Sequence, residues 1–165
     1  MKKTNLRALL SALLVIGAMA CMLIVLVMNA YDKFPERIKV REDGVTEDVF
    51  TVRNLQLCPD QSKEYDVDLV CDASGAYNVT LTYEELKPGT MKHYVDVVVS
   101  VEDETVYTGK LSTLMDKKET ISFDGTLMSR TPLTVTIKYL MPYETGNEAQ
   151  GTTADFDIHL KIQKI

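Results

Sequence analysis

A chain of 165 residues with a net charge of −6 has room for one domain of ordinary size. Lys2, Lys3 and Arg7 come before any acid, and the remaining 15 lysines and arginines face 24 aspartates and glutamates. A body this acidic repels a phosphate backbone, which excludes nucleic acid as a partner, and its charge serves solubility.

Residues 1–7 form a short basic start, expected in the cytoplasm. Residues 8–30, "ALLSALLVIGAMACMLIVLVMNA", are 23 residues without a charge. At ~1.5 Å per residue, a helix of that length crosses the ~30 Å of hydrocarbon in a bilayer. They read as a transmembrane signal anchor, single-pass, with the C-terminal body outside the cell. The alternative is a signal peptide removed near Ala30, which releases the rest to the cell surface or matrix. "MNA" before Tyr31 is the better-placed site, since cutting after "AMA" leaves "MLIVLVM" as the new end. Lys33, Arg37, Lys39 and Arg41 follow the apolar run, so flanking charge does not decide orientation. Long domains translocate largely regardless of it. Residues 31–45, with Pro35 and Gly44, read as a membrane-proximal linker holding one short strand, Ile38–Arg41.

Residues 46–165 read as an extracytoplasmic domain with period-two runs separated by turn residues. Val49–Leu57 is the first. Glu64–Cys71 puts Tyr65, Val67, Leu69 and Cys71 on one face, with Asp66, Asp68 and Asp72 opposite. Tyr77–Tyr83 turns Tyr77, Val79, Leu81 and Tyr83 inward, and Tyr94–Val101 does the same with Val95, Val97, Val99 and Val101. "EDE" (Glu102–Glu104) turns the chain into a short strand at Thr105–Tyr107. "GKLSTLMDKK" suits a single helical turn. Thr120–Phe123 follows, then Leu133–Leu140 with Leu133, Val135, Ile137 and Tyr139 on one face. The last run sets Ala154, Phe156, Ile158, Leu160 and Ile162 against Asp155, Asp157, His159, Lys161 and Gln163. About eight one-sided strands need a second sheet to cover the first. The expected fold is therefore all-β: an antiparallel β-sandwich, jelly-roll or immunoglobulin-like, preceded by one N-terminal transmembrane helix. The last strand is expected beside Leu133–Leu140.

Chemistry-bearing patterns are sparse. His93 and His159 have no paired-His spacing, and no nucleophile elbow or Gly-rich phosphate loop occurs. The expectation is no catalytic, cofactor-binding or metal residue, and a non-enzymatic protein. Asp66, Asp68, Asp72, Asp155 and Asp157 could line a calcium site, but alternating acids on a strand are also what a solvent face looks like. Cys21 lies in the apolar run. Cys58 opens the turn "CPDQS" and Cys71 closes the strand that leaves it. Eight extended residues separate them by ~25 Å, against the ~6 Å of a disulfide, unless the strand bends back. Cys71 then reads as a small buried apolar residue. Asn78-Val79-Thr80 is a glycosylation sequon inside a strand. An exposed row of aromatic residues would mark a binding face, and only Tyr139 and Tyr143 stand near one end.

Three phrases resemble the TasA/camelysin family of secreted bacterial proteins. "FTVRNLQLCPDQSKEYDVDLV" is similar to its early strand, "L-x-PG-D" turn and following strand, with Cys58-Pro59-Asp60 lacking the Gly. "HYVDVVVSVEDETVYTGKLSTL" is similar to its central hairpin with a "Y-x-GKL" step. "MPYETGNEAQGTTADFDIHLKIQKI" resembles its closing segment. The resemblance implies a jelly-roll-like sandwich and a structural role on the bacterial cell surface or in the biofilm matrix. It also implies self-assembly by strand exchange through residues 31–45. A surface binding, adhesin-like module is the alternative. A camelysin-type metalloprotease is the remote one, with no ligand set that maps onto this sequence.

Overall fold

The computed structural model describes residues 37–165. The expected anchor at residues 8–30, with Cys21, lies outside them. Among the described residues no helix is long and apolar enough to cross a membrane.

The described residues hold nine strands, in chain order: β1 Arg37–Lys39, β2 Val45–Leu55, β3 Ser62–Val70, β4 Gly75–Lys87, β5 Asp96–Val101, β6 Glu104–Lys110, β7 Ile121–Leu127, β8 Leu133–Leu140 and β9 Ala154–Lys164. One short helix, α1 (Leu111–Asp116), joins β6 to β7, and 3-10 turns occupy Met91–His93 and Asn147–Ala149. The alternating runs become strands because each sets apolar side chains on one side of the pleat and polar ones on the other. Tyr65, Val67, Leu69 and Cys71 are buried, as are Tyr77, Val79, Leu81 and Tyr83, while Val101 is only partly so.

The strands form a four-stranded sheet, ordered β2-β9-β4-β7, and a five-stranded one, ordered β1-β3-β8-β5-β6. From β2 onward the chain crosses between sheets at almost every step, with only the β5–β6 hairpin staying in one. That is the order of an eight-stranded jelly roll, with β1 added in parallel along β3. The immunoglobulin alternative gives way to it.

The last strand does not lie beside Leu133–Leu140. Strand β9 pairs antiparallel with β2 and β4 in the opposite sheet. Residues 141–153 carry the chain across the end of the sandwich. Met141 joins the core there, and its N–H and C=O bond the backbone of Gln61 and Asp60. A segment that long need not turn back on its own sheet.

Turn chemistry closes the β5–β6 hairpin. Glu102 and Asp103 both have positive φ (47° and 68°), and Val101 pairs with Glu104. A two-residue loop of that kind matches the right-handed twist of its strands. Strand β2 contains a bulge between Val52 and Leu55, where Asn54 takes φ 54°.

The core between the sheets is built mainly of aliphatic side chains, Phe and Tyr, and each fully buried Leu, Ile or Phe contributes about 1.5–3 kcal/mol from water exclusion alone. At its centre Phe156 of β9 lies 5.8 Å from Tyr83 of β4 and 5.5 Å from Tyr139 of β8, ring centre to ring centre. Tyr65 of β3 meets Tyr139 edge-on at 5.8 Å. Aromatic pairs in such tilted and T-shaped arrangements stabilise by about 0.5–1.5 kcal/mol beyond their area. The Tyr139 hydroxyl donates to that of Tyr83 at 3.4 Å, and burial raises the pKa of both.

Candidate functional site

The register of β2, β9 and β4 builds a polar grid on the outer face of the four-stranded sheet. His159 stands between Val49 and Thr82, Lys161 between Glu47 and Thr80, and Asp157 between Thr51 and Glu84. His159 Nε2 lies 3.2 Å from Glu84 Oε2, and Thr51 donates to Asp157 at 2.7 Å. His159 also lines two clefts. One, of about 660 Å³, runs over Thr82, Glu84 and Glu85 to Met115 and Lys118 beside α1. The other, of about 290 Å³, lies over Glu47, Val49, Thr80 and Lys161. The face offers hydroxyls, carboxylates and two lysines, with the buried Tyr83 at the floor of the larger cleft. Chemically it suits reversible polar binding.

At one end of the sandwich, three charged residues meet. Glu85 follows Tyr83 by two on the core side of β4, opposite Phe156. Its Oε1 accepts from the Gly89 N–H at 3.2 Å. Lys92, in the turn Met91–His93, is buried, and its Nζ donates to Glu85 Oε2 at 2.8 Å and to Asp116 Oδ1 at 2.7 Å. Asp116 is the last residue of α1. Its hydrogen bond, then that of Glu85, raises the pKa of Lys92 against the cost of desolvation, and the bond from Lys92 lowers that of Asp116. Sequence reasoning missed this cluster. One signal was available: the alternation Tyr77-Val79-Leu81-Tyr83 continues onto Glu85, placing an acid on an inner face where it needs a partner.

The residues singled out in the sequence are spread over the molecule. Asp66 and Asp68 accept from Thr136 and Thr134 of β8 on the outer face of the five-stranded sheet. Asp155 and Asp157 lie on the other sheet, where Asp155 accepts from the Asn54 N–H. Asp72 pairs with Lys39 at 2.6 Å. The five aspartates therefore do not converge, and among the described residues no group of three or more His, Cys, Asp or Glu is arranged to hold a metal. His93 is exposed in its turn. Cys58 is exposed, Cys71 is buried, and both are free thiols. Burial raises the pKa of Cys71. The Asn78 amide donates to Asp124 and Ser122 across the β4–β7 pair. Tyr139 is wholly buried and Tyr143 is 78% exposed, so they form no aromatic row.

The "Y-x-GKL" step has a physical basis here. A Cβ on Gly109 would run into the ring of Tyr107, so the pair is a tyrosine laid over a glycine. Leu111 then bonds its N–H to the Val95 carbonyl and starts α1 in the core.

The described chain is thus a two-sheet, all-β domain with a clefted polar face around His159. No family model matches it, and no curated protein does. Matches to solved structures are weak. One is the full extracellular region of zebrafish Gpr126/Adgrg6, at 13% identity and TM-score 0.36, covering 80% of this chain and 15% of that one. Another is the CUB1-EGF-CUB2 region of rat MASP-1, at 12% identity and TM-score 0.35, covering 78% and 42%. A third is Aeromonas hydrophila PliG, a periplasmic inhibitor of g-type lysozyme, at 12% identity and TM-score 0.32, covering 77% and 96%. The chain thus spans less than half of the first two, and likeness this low assigns no function.

Proposed function

We propose that this chain is a non-enzymatic structural domain of a bacterial cell surface or extracellular matrix. Residues 8–30 tether it or direct its release, and it self-assembles by lending β1 to a neighbouring copy. The observation that carries this reading is the way β1 is attached. It touches the sheet on one side only, through three residue pairs parallel to β3. Yet Ile38 and Val40 are 5% and 2% exposed, filling the core as well as any central strand. A short edge strand that plugs a core is the kind of element one copy can supply to another.

The test compares the chain from Tyr31 with the chain from Thr46 by sedimentation and electron microscopy. The longer one is expected to form concentration-dependent assemblies. The shorter one is expected to stay single and to bind a peptide of residues 31–45. Filaments from the shorter chain, or none from either while both stay folded, would sink the reading.

The clefted face around His159 favours a second reading, a surface module that binds a polar ligand. Neither chain would then assemble, and substitutions at His159 and Glu84 would abolish binding to cell-wall or matrix material without affecting the fold.

A further inference from the structure

We propose that Lys92 and Asp116 condense into an intramolecular amide, with Glu85 as the proton relay, so that the domain carries a covalent clasp. Lys92 is the one charged side chain buried among the described residues. Its nitrogen is already within 2.7 Å of one Asp116 carboxyl oxygen and 2.8 Å of Glu85. Its chain neighbour Met91 is buried in the core, as are Leu114 and Met115 beside Asp116. The Gly89 N–H fixes Glu85 from behind. Nucleophile, electrophile and base are thus held together by elements that pack independently of them.

The step balances without any co-reactant. A proton passes from the Lys92 ammonium to the Asp116 carboxylate, turning the ion pair into a neutral amine and a carboxylic acid. The Nζ lone pair attacks Asp116 Cγ, and Glu85 takes the proton that the nitrogen sheds. Glu85 hands it to the leaving hydroxyl, which departs as water. One N–C bond forms, one C–O bond breaks, nothing is oxidised, and one positive and one negative charge disappear together.

The resting state is the ion pair, which the 2.7 Å hydrogen bond stabilises, and contact between the groups favours leaving it. Groups held in contact react with effective molarities of ~10⁵–10⁸ M, which drives a condensation that is unfavourable between free molecules. Lys92 and Asp116 are 24 positions apart in sequence, so the bond would close a loop around β5, β6 and α1. It would act there as a disulfide does, in a domain whose two described cysteines are both unpaired.

The test is peptide mapping by mass spectrometry of the full chain, kept folded during purification and then digested with trypsin. The expected product is a branched peptide joining Lys92 to Asp116, lighter by one water, with no cleavage after Lys92. Lys92→Arg, which keeps the charge and cannot condense, should be unlinked and melt lower. Glu85→Gln should fold and remain largely unlinked. Separate, unmodified Lys92 and Asp116 peptides from folded wild-type protein would overturn the proposal, whatever the variants do. Full linkage in Glu85→Gln would overturn the relay role.

Discussion

Strands β9 and β1 feed the same core in opposite ways. Strand β9 is hydrogen-bonded along both sides, to β2 and to β4, and buries Ala154, Phe156, Ile158, Leu160 and Ile162. Strand β1 is bonded along one side through three pairs, yet Ile38 and the following Val40 are as buried as those residues. Burial and attachment are therefore separate quantities. Burial counts the apolar surface taken from water. Attachment counts what must break before an element can leave, and a strand with much of the first and little of the second can open as a unit.

The largest effect should come from ionising the core that β9 organises. Tyr83 and Tyr139 are wholly buried and their pKa values are raised by desolvation. A raised folded pKa means stability is intact below the unfolded value, ~10 for tyrosine, and is lost as pH climbs toward the folded one. Alkaline titration should show this tyrosinate absorbance appearing only together with loss of β circular dichroism. Smooth ionisation of all eight tyrosines in folded protein would contradict the packing.

Next comes Phe156→Ala, at the meeting point of Tyr83 and Tyr139, expected to cost about 3–5 kcal/mol in denaturant unfolding. Ile38→Ala in β1 removes comparable apolar surface but should cost about 2 kcal/mol, the low end for such truncations, because β1 can leave before the rest unfolds. Equal costs would erase the distinction between the strands. Asp157→Ala, on the outer face of β9, should cost less than about 1 kcal/mol. It loses one exposed bond from Thr51.

Strand faces were legible in the sequence because alternation is a local property. The run Leu133–Leu140 is strand β8 to the residue, and Phe156 and Ile158 are core residues as the pattern implied. Pairing was not legible. Alternation in Ala154–Ile162 says which side is buried but not which strands flank it, and the partners of β9, β2 and β4, come from much earlier in the chain. Strand β2 begins at Val45 rather than Val49 because its early residues lie at a sheet edge, half exposed on both sides, and lack a clean period. Lys92 was hidden for another reason. Lysine is rarely buried, and only the fold brings Glu85 and Asp116 to it.

Amide hydrogen exchange on the full chain, resolved by residue, tests the separation of burial from attachment most directly. The Val40 N–H bonds the Val70 carbonyl at 2.8 Å, and Ile158 sits mid-strand in β9. Protection at Ile158 should equal the global unfolding free energy. Protection at Ile38 and Val40 should be lower by at least about 2 kcal/mol and insensitive to mild denaturant, the signature of local opening. Equal protection in β1 and β9, falling together as denaturant rises, would mean that β1 leaves only when the whole sandwich unfolds, and it could not be lent.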